Sequence, residues 1–309
     1  VALVGLGAMG QRHARVLSEL SSRFDIVGAY DPVPAAPTPE GVARLASEAE
    51  ALSLAEVVVV ATPIESHAPI VTRALAAGRH VFVEKPVCAS AADARAASAA
   101  ARLGARLFVG HSERFNPVVR MLARLVREEA IVAIDLRRVG PSKACTSGVL
   151  VNLGVHDFDL AAYLGGGDVT LHGAIGFRTG GAPGPDAAHV LFSTAGGAAG
   201  HLYVDRTAPA KERAIELATT RWLYRGDLLA HRLVRTARSG AARTDVPLPL
   251  EQPLAAQAAA LADALDGGAA REIAGGDDGV RALDLAESAL AHCVAAAPTE
   301  NFAIDAGRC

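Results

Sequence analysis

The chain opens on Val1-Ala-Leu-Val4 and runs directly into Gly5-Leu6-Gly7-Ala8-Met9-Gly10, a G-x-G-x-x-G pattern set between an apolar strand and a helix-like run over 11–20. Glycines at that spacing also arise by chance, and it is the flanking strand and helix that make this instance specific. A second strand over 25–30 follows and ends on Asp31. In such a βαβ unit the first glycine permits a tight turn and the second lets a pyrophosphate approach the backbone. The third allows close helix–strand packing, while the helix N-terminus turns N–H groups and a positive dipole toward the phosphates. Asp31 falls about 20 residues further on, where a carboxylate accepts hydrogen bonds from the adenosine ribose. The residues from Gly5 to Gly10, with Asp31, are therefore expected to bind a dinucleotide.

With 309 residues the chain has room for two domains of ordinary size. A hydrophobic content of 51% excludes a disordered protein, and no apolar run approaches a membrane span. The net charge of −3 argues against a general nucleic-acid binder, which needs a basic face. Cys88, Cys145, Cys293 and Cys309 stand far apart, with neither a C-x-x-C nor a metal-ligand spacing. Reduced thiols in a cytoplasmic protein, and no bound metal, are the expectation. No secretory leader pattern is visible.

Strand and helix patterns alternate through residues 1–110. A helical stretch is expected near 40–49, the β-branched run Val57-Val-Val-Val60 is a strand buried on both faces, and helices over 66–77 and 89–103 enclose a strand at 80–83. A strand over 106–109 completes a doubly wound sheet whose ligand crevice lies at the strand C-termini. The rhythm then changes. A helix over 117–128, a strand over 131–139, a polar loop over 140–148 and a helix beginning near Leu150 precede strand after strand over 168–224, with Gly-rich turns at Thr179 and Ala195. Helices over 252–265 and 277–295 close the chain. The expected architecture is α/β: an N-terminal Rossmann domain (1–110) and a C-terminal α+β domain (111–309) with a large, mostly antiparallel sheet. A Gly-rich open sheet leaves a face to cover, and a homo-oligomer, dimer or tetramer, is expected to cover it.

Two further motifs carry chemistry. Glu84-Lys85-Pro86 ends the fourth strand, which puts a lysine over the crevice. Further on, Asn152, His156 and Asp159 stand at helical spacing, so that Asn152 and His156 share one helix face and Asp159 can orient the ring. A metal site would need more ligands than His-x-x-Asp provides.

Together, the glycine fingerprint, Glu84-Lys85-Pro86 and the helix over 152–159 resemble the glucose–fructose oxidoreductase/inositol dehydrogenase (Gfo/Idh/MocA) family. The resemblance spans essentially the whole chain, including Ala61-Thr62-Pro63 before His67 and the step Arg114-Phe-Asn-Pro117. It implies NAD(P)-dependent oxidation of sugars, cyclitols or sugar nucleotides, with Lys85 and His156 at the family's catalytic lysine and histidine. The family's usual aspartate four residues before that histidine is replaced here by Asn152, which cannot exchange a proton but can hold a substrate hydroxyl. The segment from Val109 to Pro117, together with Arg138-Val-Gly-Pro141, looks like the branch acting on the 3-hydroxyl of UDP-N-acetylhexosamines. Arg114, Arg137, Arg138 and Lys143 are then candidates to meet a diphosphate.

The expected chemistry is hydride exchange with a secondary carbinol. Either His156 takes the hydroxyl proton while Lys85 donates a hydrogen bond, or Lys85, its pKa lowered, is itself the base. Thr62, Pro63, His67 and Glu84 are expected beside the cofactor, with Glu84 at the nicotinamide ribose. Asp31 would repel a 2′-phosphate and Pro32-Val-Pro34 supplies no arginine to bind one, so NAD is expected over NADP. The contrasting expectation, motivated by Asn152, is a dinucleotide- and sugar-sensing regulator of the same fold without turnover.

Overall fold

Val57–Val60 is buried at every position, as a strand covered on both faces must be. In the computed structural model, which describes residues 1–295 except 102–103, 143–147, 179–183, 241 and 269–270, this strand is β3 of a parallel sheet. Its partners are β1 (Ala2–Val4), β2 (Gly28–Tyr30), β4 (His80–Val83) and β5 (Leu107–Val109), in the order β5-β4-β3-β1-β2. Helices α1 (Ala8–Glu19), α2 (Glu48–Leu54), α3 (His67–Ala76) and α4 (Ala91–Ala99) make the crossovers. The order reverses between β1 and β3, the switch point at which such sheets open a ligand crevice.

The helix expected near 40–49 does not form. Gly41 takes a φ of +74° and Arg44 makes a lone parallel bridge to Ala29 of β2. The helix starts later, at Ser47, whose hydroxyl accepts from the Glu50 N–H at 3.1 Å.

The second half begins with α5 (Pro117–Leu125) and β6 (Ile131–Val139), followed by a π turn (Leu150–Gly154) that leads into α6 (Val155–Gly165). Strands β7 (Val169–Phe177), β8 (Ala187–Thr194), β9 (Ala199–Asp205), β10 (Glu212–Thr219) and β11 (Trp222–Asp227) follow. The strand run does not stop near Tyr224, since β12 (Arg232–Ala237) and β13 (Arg243–Val246) extend it. After α7 (Pro253–Leu265), β14 (Ala274–Gly275) and α8 (Gly276–Ala291), the chain leaves the helix expected to run to 295 and adds β15 (Cys293–Ala295). The nine strands order as β13-β12-β11-β10-β6-β9-β8-β7-β15, antiparallel except at β6–β9 and β7–β15. On β8, Val190 and Phe192 point into the core, and His189 and Leu191 point out, so one face of this sheet is packed and the other open.

The two halves are stitched together. β14 pairs antiparallel with β5 at the edge of the first sheet, and α7 packs on α1. α8 contacts α4, α6 and β7, so it forms the seam between the sheets. Lys143, Cys145, Cys309 and the turn at Thr179 lie outside the described residues. No helix among the described residues is long and apolar enough to cross a membrane.

Candidate active site

The C-terminal ends of β1, β3, β4 and β5 open on one cavity of about 580 Å³, whose walls include Gly7, Met9, Thr62, Lys85, Glu113 and His156. The glycines divide as their spacing predicts. Gly5 holds a φ of +97°, and a Cβ there would stand 2.6 Å from the Ala61 main chain. A Cβ on Gly10 would strike the Gly5 carbonyl. Around Gly7, by contrast, a Cβ would meet nothing within 4 Å, and the missing side chain opens the cavity to the loop backbone. The Thr62 hydroxyl is buried on the same wall without a partner among the described residues. Both features suit a pyrophosphate and ribose laid along this edge.

Asp31 reaches back to the loop, its Oδ2 accepting from the Leu6 N–H at 2.7 Å and its Oδ1 from the Val33 N–H at 2.8 Å. Ala8, Met9, Pro63 and His67 line the cavity. The buried His67 ring also ties two loops together, its nitrogens standing 2.9 Å from the carbonyls of Pro86 and Thr62. Glu84 is drawn inward, its Oε1 accepting from His13 Nε2 at 2.7 Å. One cation missing from the local sequence is supplied by the fold: Arg44 stands beside the Asp31 loop and donates to the carbonyls of Asp31, Val33 and Ala36.

Lys85 and His156 come to the cavity from different elements, the first from the end of β4 and the second from the start of α6. Lys85 Nζ donates to the main-chain carbonyl of Asn152 at 3.1 Å. Asn152 sits in the π turn, an arrangement frequent at functional sites, and meets Lys85 through its backbone; its side chain is not part of the cavity wall. Burial pushes the Lys85 ammonium down to about 8, with Glu84 opposing and the Arg138 and Arg213 charges adding to the shift. His156 is held well below the usual imidazole range, first by burial and then by Lys85, Arg138, His111 and Arg213. Its Nδ1 is buried without a partner among the described residues, which leaves Nε2 as the nitrogen for the cavity.

The arginines expected at a diphosphate are committed elsewhere. Arg114, 3% exposed, grips Asp159 with Nε at 2.8 Å and Nη2 at 2.6 Å. Arg138, 2% exposed, grips Asp157 with Nε at 2.7 Å and Nη2 at 3.1 Å, and gives Nη1 to Glu113 at 3.1 Å. Arg114 also gives Nη1 to Asp278 at 3.3 Å, so each buried guanidinium is engaged by two carboxylates, and neither residue lines the cavity. They pin α6, the helix that carries His156. Arg137 lies on the outer face, paired with Glu212 at 2.7 Å.

Four residues with a place in the site were not legible in advance: His13, His111, Glu113 and Arg213. Glu113 joins Arg138 to Arg213, whose Nη1 lies 3.0 Å from Glu113 Oε1. Burial opposes the ionisation of Glu113, but the two guanidiniums outweigh it and hold the carboxyl below its ordinary value. Arg213 and Arg12 are the arginines that line the cavity. Only pairing β10 with β6 brings Arg213 opposite Arg138, and no local pattern announces that register. Among the described residues no group of three His, Cys, Asp or Glu side chains could hold a metal.

Residues 1–111 match the GFO_IDH_MocA family, described as "Oxidoreductase family, NAD-binding Rossmann fold", and residues 128–224 match its C-terminal domain, GFO_IDH_MocA_C3. The chain is 30% identical over 232 residues to the rhizopine catabolism protein MocA of Rhizobium meliloti, covering 67% of this chain and 71% of that protein. It is 29% identical over 217 residues to an inositol 2-dehydrogenase of Rhizobium meliloti (strain 1021), covering 63% of this chain and 65%, just under two thirds, of that protein. Among solved structures, the UDP-N-acetylglucosamine 3-dehydrogenase GnnA from Acidithiobacillus ferrooxidans superposes with a TM-score of 0.82 at 22% identity, covering 94% of this chain and 96% of that one. That last likeness is one of fold.

Proposed function

The chain belongs to the Gfo/Idh/MocA oxidoreductase family, and from that premise we propose that it exchanges hydride between NAD and a secondary hydroxyl or ketone of a sugar, foremost a nucleotide sugar such as a UDP-N-acetylhexosamine. The observation that carries this reading is the convergence of Lys85 and His156 on the cavity that also exposes the glycine loop. The loop from Gly5 to Gly10, with Asp31, Thr62 and Pro63, would hold the dinucleotide. When bound, the nicotinamide supplies the hydride acceptor or donor.

Lys85 is the proton acceptor in the oxidative direction, because an acid–base group works best with a pKa near the working pH and its own lies at about 8. The carbinol O–H proton passes to the neutral amine as the C–H pair leaves as hydride and the carbonyl forms. His156, uncharged, holds a substrate hydroxyl. Glu113 and Arg138 keep α6 in place beneath it. Arg12 and Arg213 are the cations on the cavity wall that support a diphosphate. Asp31 supports NAD over NADP by opposing a 2′-phosphate, and Arg44 spends its donors on loop carbonyls.

Mixing the protein with NAD⁺ or NADP⁺ and a panel of UDP-hexosamines, free sugars and inositols, while following nicotinamide absorbance, tests all three parts. Reduction of NAD⁺ by a UDP-sugar is the expected outcome. Reduction by inositol alone would overturn the nucleotide-sugar part. Cofactor binding with no reduction by any member or by the matching ketones would favour the sensing regulator.

A further inference from the structure

His111, the second residue after β5, is a buried histidine that the hydride chemistry above does not use. It is 1% exposed, and neither ring nitrogen has a hydrogen-bond partner among the described residues. Its Nδ1 lies 3.8 Å from Asp159 Oδ2, near enough for attraction and too far for a direct hydrogen bond. Its ring stands edge-on to His156, with centroids 6.4 Å and planes 83° apart. Since His156 Nδ1 is also buried without a partner among the described residues, three such nitrogens lie on two adjoining rings beside the cavity. Leaving a buried polar group unpaired is costly, so a native structure satisfies such groups. With the ring centroids 6.4 Å apart and no direct hydrogen bond at these nitrogens, one buried water is the group suited to link the two rings.

We propose that His111 is a positioning residue, linked through one buried water to His156 Nδ1 and biased by Asp159, which fixes His156 in the tautomer whose Nε2 lone pair faces the substrate. The direction of the chain follows from its charged end. The Asp159 carboxylate, already accepting from Arg114, favours the proton of His111 on Nδ1. His111 Nε2 is then an acceptor, so the water donates to it and in turn accepts from His156 Nδ1–H. His156 Nε2 is left without a hydrogen and accepts from a substrate hydroxyl. The groups around the two rings fit a neutral pair. Lys85, Arg138 and Arg213 face His156, and Arg114 and Lys85 oppose charge on His111 while Asp159 and Asp278 favour it against burial.

The proposal rests on His156 facing the substrate, but its test needs no turnover. The full chain labelled with ¹⁵N-histidine, with His156 assigned by loss of its signals in His156→Asn, reports the tautomer directly at neutral pH. The expected result is His156 with its proton on Nδ1, favoured by about tenfold, the worth of one hydrogen bond. His111→Phe keeps a ring and removes both nitrogens, and should erase that preference, while His111→Gln should restore part of it. Protonation of wild-type His156 on Nε2 overturns the proposal without any variant, so a misfolded substitution does not protect it. An unchanged tautomer in a folded His111→Phe protein does the same. Failure of the hydride reading would show instead in the cofactor assay, with the tautomer untouched.

Discussion

At the scale of single residues, Lys85 decides how the chemistry responds to pH. Burial lowers its proton affinity first, and Arg138 and Arg213 lower it further against the pull of Glu84. As the oxidative acceptor it must be neutral. kcat/KM for oxidation therefore rises about tenfold per pH unit up to about 8 and levels off above it. Reduction needs the ammonium, so it is level below about 8 and declines above it. His156, pushed well below its ordinary value, stays uncharged throughout and adds no limb of its own near neutrality. Rate profiles in both directions check this. Lys85→Ala should lower turnover by roughly 10²–10⁴ and flatten the limb near 8. A limb that survives the substitution would assign it to another group.

At the scale of elements, α6 is held by two buried arginines from separate parts of the chain, Arg114 after β5 and Arg138 on β6. Removing one member of such a pair strands a buried charge. Arg138→Met should cost about 3–5 kcal/mol in urea unfolding, and adding Asp157→Leu should return much of it. β3, β4 and β6 fall where their β-branched runs put them, because burial on a sheet face leaves such runs no alternative. The stretch 40–49 misleads because Glu, Ala and Arg favour a helix, whereas Gly41 with its positive φ and the cap at Ser47 decide otherwise. Lys85 and His156 are legible through short motifs. Arg114 and Arg138 read as free cations because nothing local shows that Asp159 and Asp157, on a helix formed later, will claim them. Glu113, Arg213 and His111 acquire meaning only from strand register and three-dimensional packing.

At the scale of the whole molecule, the outer face of the nine-stranded sheet carries apolar side chains in the open. Ile175 is 59% and Leu191 57% exposed, on neighbouring strands, with Phe177 beside them. A homo-oligomer, dimer or tetramer, is our proposal for this face. Light scattering should read a multiple of the chain mass, and Leu191→Glu should return it to a single chain; a monomeric wild type would refute the assignment. The edge strand β14 has a different consequence, one for biosynthesis. During translation, β5 emerges with its free edge bare, and the two residues that will seal it are made only after eight of the nine strands of the second sheet. α7, which covers α1, arrives equally late. The nascent nucleotide-binding half thus waits, incomplete, for the last part of the chain, and cutting the gene between the halves would leave the first with an unsealed edge and an uncovered helix.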